Sequence, residues 1–309
     1  MLAIPEKGFA YSAAKHNVDL DICTDWIEAN ALFTGAATAG SEIVDALVDG
    51  HVYADQDLAW QLFDIVCSQI AWRSRCMGES YPIGLEGKRV VALGDWKHFR
   101  PYGFCLTLSL ARAYPAWARS FVTDYTDQGA LFEELSEESL RRLLPDWAVS
   151  RTGWAKEQPK KLRNVIEKVA KIVGEEIAPN FEKYLRERSN DEGLDVVCHR
   201  DFPDGRGAHV AYLVQCASGG NWEAKLHTPI IDLWAKLIDF PVLPRRGFSV
   251  PFGLAPADFQ RNSTIVQGIF LDRHRLLCPG RGARDWIPDD LAERLLAWLL
   301  PRVTKLPRI

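Results

Sequence analysis

Two short apolar runs joined by a polar loop constrain the fold of this chain more than any other part of its sequence. The runs are residues 194–198 and 210–216, and Gln215 is the polar exception in the second. The loop between them is rich in Asp, Pro, Gly and Arg, and several of these residues favour turns. Such runs predict a β-hairpin or two neighbouring strands. Because the second run is apolar on both faces, we expect it to be a central strand.

Helical and strand patterns alternate around this hairpin. Between residues 162 and 177 the apolar positions recur at helical spacing, which predicts an amphipathic helix. The other predicted elements are helices at 181–188, 230–238 and 291–300, a first helical turn at 221–225 and a strand at 263–271. Alternating strands and helices indicate an α/β domain that begins near residue 155.

The first half of the chain has mainly helical patterns. Helices are predicted at 18–34, 42–48, 55–77 and 102–114, and a further one from Ser136 to about 145. Ser41 is predicted to cap the second of these helices. None of these segments contains a motif with recognisable chemistry. We therefore predict two domains, a mostly α-helical module at residues 1–154 and the α/β domain at residues 155–309.

Charge and cysteine content restrict the expected partners and compartment. Residues 151–309 carry a net charge of +5 and the first 150 carry −9, so binding of a polyanion is expected in the second half. The seven cysteines include no CxxC pair, which favours reduced thiols in a cytoplasmic protein. The sequence opens without the pattern of a signal peptide and has no apolar run of membrane-spanning length. We therefore expect no membrane partner.

The residues around the two apolar runs resemble the motifs of the PD-(D/E)xK nuclease superfamily, specifically its Mrr-like restriction-endonuclease branch. Gly193-Leu194-Asp195-Val196-Val197 matches the first motif, which contains the acidic residue. Gln215-Cys216-Ala217 matches part of the second motif, with alanine where the family has lysine. The resemblance covers roughly residues 160–280. It implies a restriction-endonuclease-like α/β core in the second domain.

The resemblance also implies which residues hold a divalent metal ion, Mg²⁺ or Mn²⁺. Asp195 would supply a carboxylate, Gln215 a side-chain oxygen and Cys216 its backbone carbonyl, and hard cations prefer such oxygen ligands. The family further has a glutamate on the helix before the sheet. Glu167, whose spacing from Asp195 is close to that of the family, and Glu182 in Phe181-Glu182 are the two alternatives.

A nuclease of this type also needs a positive charge near the scissile phosphate. Ala217 cannot provide it, and Lys225 is the nearest lysine downstream. Because lysine is a flexible point charge, the Lys225 ammonium is expected to point toward the cleft between Asp195 and Gln215. Three other cations are the alternatives, namely Lys236, Arg245 and Arg246.

The resemblance predicts a magnesium-dependent endonuclease, a hydrolase that cleaves phosphodiester bonds of DNA. It suggests an effector of bacterial antiviral defence. The N-terminal module would then bind a partner defence protein, self-associate or gate the nuclease. On this hypothesis Asp195→Ala abolishes cleavage and changes thermal stability little.

Three alternatives remain from the sequence. The first is a nucleic-acid-binding or scaffold protein with the same fold and a decayed site, and the second is an RNA nuclease. The third is a zinc site, since Cys198, His199, Cys216 and His227 are of the residue types that bind zinc. Their spacing, however, matches no zinc finger or zinc ribbon.

Overall fold

The structure is a computed structural model that describes residues 1–9, 18–121, 125–152, 162–185 and 192–309. Its helices are α1 (Leu20–Thr34), α2 (Gly40–Asp49), α3 (Gln56–Met77), α4 (Arg100–Ala113), α5 (Pro115–Arg119), α6 (Tyr125–Leu143), α7 (Leu162–Val173), α8 (Ile231–Leu237), α9 (Pro256–Val266), α10 (Arg273–Leu277) and α11 (Asp289–Thr304). Its strands are β1 (Thr38–Ala39), β2 (Ile83–Glu86), β3 (Arg89–Ala92), β4 (Ala148–Arg151), β5 (Glu176–Ile177), β6 (Val196–His199), β7 (Ala211–Cys216), β8 (Ile238–Asp239), β9 (Arg245–Ser249) and β10 (Ile269–Leu271).

These elements form two compact units, each assembled from separate parts of the sequence. Unit 1 comprises Met1–Thr123, Pro251–Gly253 and Arg273–Ile309, and unit 2 comprises Asp124–Val250 and Leu254–Asp272. The predicted division between residues 154 and 155 differs from this arrangement. Helix α6 and strand β4 lie in unit 2 because β4 pairs with β6. Helix α11 lies in unit 1, where it packs against α4.

Unit 1 is built around α1, which is buried along almost its whole length. A small antiparallel sheet in the order β1-β3-β2 belongs to the same unit. The ends of the sequence also meet here, since Leu2 forms a β-bridge with Arg308. The predicted helices at 18–34, 42–48, 55–77 and 102–114 are confirmed within a few residues. Ser41 is not the cap of α2, because the N-cap residue is Ala39.

A buried network of charges joins three helices of unit 1. The guanidinium of Arg273 in α10 makes two hydrogen bonds with the Asp25 carboxylate of α1, at 2.7 and 2.9 Å. Arg73 of α3 also binds Asp25, at 2.6 Å, and lies 3.1 Å from Glu28. Burial opposes the charge on Asp25, but Arg273 and Arg73 hold the pKa of this carboxyl well below its usual range. Each buried charge is therefore neutralised by a partner on another helix.

Unit 2 contains a mixed five-stranded sheet in the order β10-β9-β7-β6-β4. Strands β4, β6 and β7 pair antiparallel, whereas β9 is parallel to β7 and β10 is parallel to β9. Strand β7 lies in the middle of this sheet, which confirms the central strand predicted from its apolar sequence. The mixed α/β class predicted for this part of the chain is likewise confirmed.

The hydrophobic core of unit 2 lies between the sheet and helices α7 and α8. Its buried members are Leu162, Val165, Ile166, Val169, Ala170, Val173, Leu194, Val197, Leu213, Trp234, Leu237 and Ile238. The predicted helix at 230–238 is confirmed in position, whereas the helix predicted at 162–177 ends at Val173 and is followed by β5. Residues 181–184 form only a 3₁₀ turn, and residues 186–191 lie outside the described residues.

Two further elements of unit 2 differ from the sequence prediction. Helix α6 begins at Tyr125 rather than at Ser136, which lies buried in the middle of this helix. Residues 263–266 end helix α9 instead of starting a strand, and β10 contains only Ile269–Leu271. Within the described residues, no helix combines the length and the apolar character needed to cross a membrane.

Candidate active site

Asp195 and Gln215 are in contact where strand β6 begins and strand β7 ends. Val196 of β6 pairs with Val214 of β7, and Asp195 and Gln215 are the next residues beyond this pair. The backbone N–H of Asp195 donates to the carbonyl of Val214 at 2.9 Å, which fixes the carboxylate at this end of the strand. The predicted adjacency of the two polar residues in a central sheet is confirmed.

The Asp195 carboxylate is buried, with 5% of the residue exposed, and two donors bind one of its oxygens. Nε2 of Gln215 donates to Oδ2 at 2.5 Å, and the backbone N–H of Cys216 donates to the same oxygen at 2.6 Å. Hydrogen bonds to an ionised acceptor are stronger than neutral ones. This pair of donors therefore offsets part of the cost of keeping a carboxylate out of water.

Thr228 and Gly193 lie close to the oxygen of the Gln215 amide, Oε1. The Thr228 hydroxyl lies 3.1 Å from Oε1 of Gln215 and 2.6 Å from the backbone carbonyl oxygen of Lys225. Gly193 has a φ of +74°, and a Cβ there would lie 2.6 Å from Oε1 of Gln215. The glycine of the Gly-Leu-Asp motif is thus required both by its backbone conformation and by close packing.

The amide nitrogen of Gln215 occupies a position between two predicted metal ligands. It lies 2.5 Å from Oδ2 of Asp195 and 3.5 Å from the carbonyl oxygen of Cys216. Its oxygen, the atom predicted to bind a cation, faces Thr228 instead. An NH₂ group therefore fills the space between the two oxygens, and binding of a hard cation there would require the amide to rotate and present its own oxygen.

Neither glutamate predicted to complete the site is buried with Asp195. Glu167 is exposed on α7, whose buried face is formed by the apolar residues of the core. Glu182 is exposed in the 3₁₀ turn and forms an ion pair with Arg163. A role of either glutamate in a metal site therefore stays a prediction.

The helix that precedes the sheet is α6, and it carries a buried acid that the sequence reasoning missed. Glu133 is 7% exposed. Burial first, and then the charges of Asp195 and Glu133, raise the pKa of the Cys216 thiol well above its ordinary value. Asp195 is hydrogen-bonded to the backbone N–H of Cys216, and Glu133 acts on the thiol of the same residue through its charge. A helix that began at Ser136 would not include Glu133, whereas α6 begins at Tyr125.

A second buried acid of α6 has a different role. Glu137 forms ion pairs with Arg141, at 2.7 Å, and with Arg151 of β4, at 3.5 Å. These partners fix the helix to the edge strand of the sheet. Glu133 is therefore the better candidate for the glutamate on the helix before the sheet.

The side chain of Lys225 is exposed at the end of a short 3₁₀ turn, Trp222–Lys225. Residues 222–225 form a 3₁₀ turn and not the first turn of an α-helix. Among the alternatives, Lys236 and Arg245 are also exposed, and Arg246 donates to the backbone carbonyls of Leu226 and Ile265. Lys168 is partly buried, and its ammonium donates to the carbonyl of Arg151 at 2.9 Å.

The zinc alternative is not assembled in the part of the chain that the structure describes. No group of three or more His, Cys, Asp and Glu side chains is arranged there to hold a metal ion. His227 is exposed, and His199 is hydrogen-bonded to Asp201 at 3.0 Å. Because His199 alternates with Cys198 along β6, the two side chains point to opposite faces of the sheet.

Comparison of this chain with protein-family models, with curated proteins and with solved structures found no match. The resemblance to the nuclease superfamily therefore depends on the motif residues alone.

Proposed function

We propose that unit 2 is a metal-dependent nuclease with a restriction-endonuclease-like core. The observation that carries the proposal is the direct contact of two buried polar side chains, Asp195 and Gln215, at the same end of neighbouring central strands. Buried polar groups in the middle of a sheet are costly to maintain. A carboxylate, an amide and a backbone carbonyl that converge there form a set of oxygen donors suited to Mg²⁺ or Mn²⁺.

Each residue of this set has a distinct role in the proposal. Asp195 and the carbonyl of Cys216 hold the cation, Gln215 contributes its oxygen after rotation of the amide, and Glu133 supplies a second carboxylate. The bound ion would polarise the phosphodiester and lower the pKa of a water molecule.

The charge of the units does not identify the substrate. The residues of unit 2 include 19 Lys and Arg and 23 Asp and Glu, so the unit is acidic. The positive charge of residues 151–309 comes in large part from Arg273–Ile309, which belongs to unit 1. The proposal of DNA as the substrate, and of an effector in antiviral defence whose unit 1 binds a partner, therefore rests on the resemblance.

The test is incubation of the purified protein with plasmid, linear DNA and RNA in the presence of Mg²⁺, Mn²⁺ or EDTA. We expect DNA loss that requires a metal ion and is abolished in Asp195→Asn. The matched control is Glu167→Gln, the same type of change at an exposed carboxylate of unit 2, which should retain activity. If the protein degrades only the RNA, unit 2 is an RNA nuclease instead.

A decayed site is the second candidate, and one specific observation favours it. Ala217 stands where the motif has lysine, and the side chain of Lys225, the predicted replacement, is exposed. On this candidate the network of Asp195 and Gln215 only stabilises the sheet, and unit 2 binds nucleic acid or a protein without cleaving it. This candidate would be established if the wild-type protein cleaves none of the nucleic acids with any metal ion but retards one of them in a gel.

A further inference from the structure

The hydroxyl of Thr228 contacts two oxygen atoms but has one proton to donate. It lies 2.6 Å from the carbonyl oxygen of Lys225 and 3.1 Å from Oε1 of Gln215. A threonine hydroxyl is one donor and carries two acceptor lone pairs. It therefore satisfies only one of these oxygens at a time, and the shorter distance favours the carbonyl of Lys225.

The position of this proton is linked to the orientation of the Gln215 amide. When the hydroxyl donates to Oε1, the NH₂ group of Gln215 faces Asp195. When it donates to Lys225, its lone pairs face Gln215, and an amide rotated by half a turn would donate to them. The rotated amide presents Oε1 to Asp195, so that two oxygens face each other across the position suited to a cation.

The surroundings of Gln215 favour rotation of the amide over its displacement. A Cβ at Gly193 would lie 2.6 Å from Oε1 of Gln215 and 2.9 Å from Cβ of Thr228. Gln215 itself is 7% exposed. Little space is left for the side chain to withdraw. Rotation about its last bond exchanges nitrogen and oxygen without a change in shape.

We infer that Thr228 is a positioning residue that allows Gln215 to alternate between a hydrogen-bond donor to Asp195 and a ligand of the metal ion. This inference rests on the proposed function, because it assumes that a cation binds beside Asp195. Thr228 satisfies the amide in both orientations, by donating in one and accepting in the other. Valine, which has the same shape without the hydroxyl, would leave a buried NH₂ group unpaired in the metal-binding orientation.

The experiment measures Mn²⁺ affinity by calorimetry in the full-length wild type and in Thr228→Ser, Thr228→Val and Thr228→Ala. We expect Thr228→Ser to bind as the wild type does, and the other two to bind about tenfold more weakly, the scale of leaving one buried donor unpaired. A Gln215→Met background removes the amide, so adding Thr228→Val to it should change Mn²⁺ affinity no further.

A second readout separates positioning from a structural role in the loop. In ¹⁵N-labelled protein the side-chain NH₂ signals of Gln215, assigned by their loss in Gln215→Met, should shift when Mg²⁺ is added to the wild type or Thr228→Ser. In Thr228→Val, Mg²⁺ at the same concentration should produce a smaller shift. If Thr228→Val and Thr228→Ala keep the wild-type Mn²⁺ affinity and the wild-type shifts, the inference about Thr228 is wrong but the proposed metal site stands. If the wild-type protein binds neither ion, the proposed metal site is wrong as well.

Discussion

Replacement of Asp195 by alanine is expected to destabilise unit 2, in contrast to the small effect expected from the sequence. The substitution leaves two buried donors, Nε2 of Gln215 and the backbone N–H of Cys216, without the oxygen that they share. Each buried donor that loses its partner costs about 1–3 kcal/mol, which gives about 2–6 kcal/mol in total. A loss of this size is a large part of the stability of an ordinary domain.

Two variants test the origin of this loss. In Asp195→Asn an oxygen can still accept both hydrogen bonds, so the loss should be only about 1–2 kcal/mol, the difference between charged and neutral acceptors. In the double variant Asp195→Ala with Gln215→Met, one of the unpaired donors is absent. Its destabilisation should be smaller than the sum of the two single variants by about 1 kcal/mol or more.

The assay is urea denaturation followed by far-ultraviolet circular dichroism, with Glu167→Ala as the control. Because Glu167 is exposed on α7, its replacement should change the free energy of unfolding by no more than about 0.5 kcal/mol. If Asp195→Ala unfolds at the same urea concentration as this control, the hydrogen bonds of Asp195 contribute nothing and the description of the site is wrong.

Three further predictions follow from the same region. Gln215→Glu places two carboxylates in contact, so the variant should be less stable than the wild type at neutral pH. Its stability should rise again with millimolar Mg²⁺ or at acidic pH. Equal melting temperatures with and without Mg²⁺ would contradict the metal site. In denaturant titrations Gly193→Ala should lower the free energy of unfolding more than Gly205→Ala does. The positive φ of both positions costs an alanine about 1–2 kcal/mol, but only at Gly193 would the added Cβ also meet close neighbours. Burial lowers the pKa of His199, so the stability that its neutral form contributes is present above the unfolded pKa of about 6.5 and is lost as the pH falls. His199→Gln should therefore flatten the dependence of the urea midpoint on pH in this range. An unchanged slope would refute this prediction.

The sequence was sufficient to predict the elements that bury a continuous apolar surface. Strands β6 and β7 were predicted because their apolar runs are bounded by turn residues. Helix α7 was predicted because Val165, Val169 and Val173 recur at helical spacing and pack in the core. The pairing of Asp195 with Gln215 followed from the order of these strands along the chain.

The sequence was not sufficient where long-range contacts decide the structure. Ser136 is typical of a helix cap, yet it is buried within α6 and its hydroxyl lies 3.0 Å from that of Ser249 in β9. The β-branched Thr264, Ile265 and Val266 favour a strand, but they complete a helix that begins at Pro256. Tertiary packing overrode the local preference of these residues.

The predicted domain boundary failed for the same reason. Arg273 is close in sequence to β10 of unit 2, whereas its guanidinium binds Asp25 of unit 1. A fragment that ends at residue 154 would retain Asp25, Glu28 and Arg73 but lack Arg273. No periodicity in the sequence identifies a partner at such a separation.

The Arg273–Asp25 ion pair also sets an order of events during translation. Helix α1 leaves the ribosome before α10, and its buried Asp25 acquires its second arginine only after roughly 150 residues of unit 2 have been made. At about 5–20 residues per second, this interval lasts about 8–30 s. Throughout it, α4 also lacks α11, the helix that packs against it in the folded unit. Nascent unit 1 should therefore present apolar surface to chaperones for many seconds, and unit 2 should reach its folded state first.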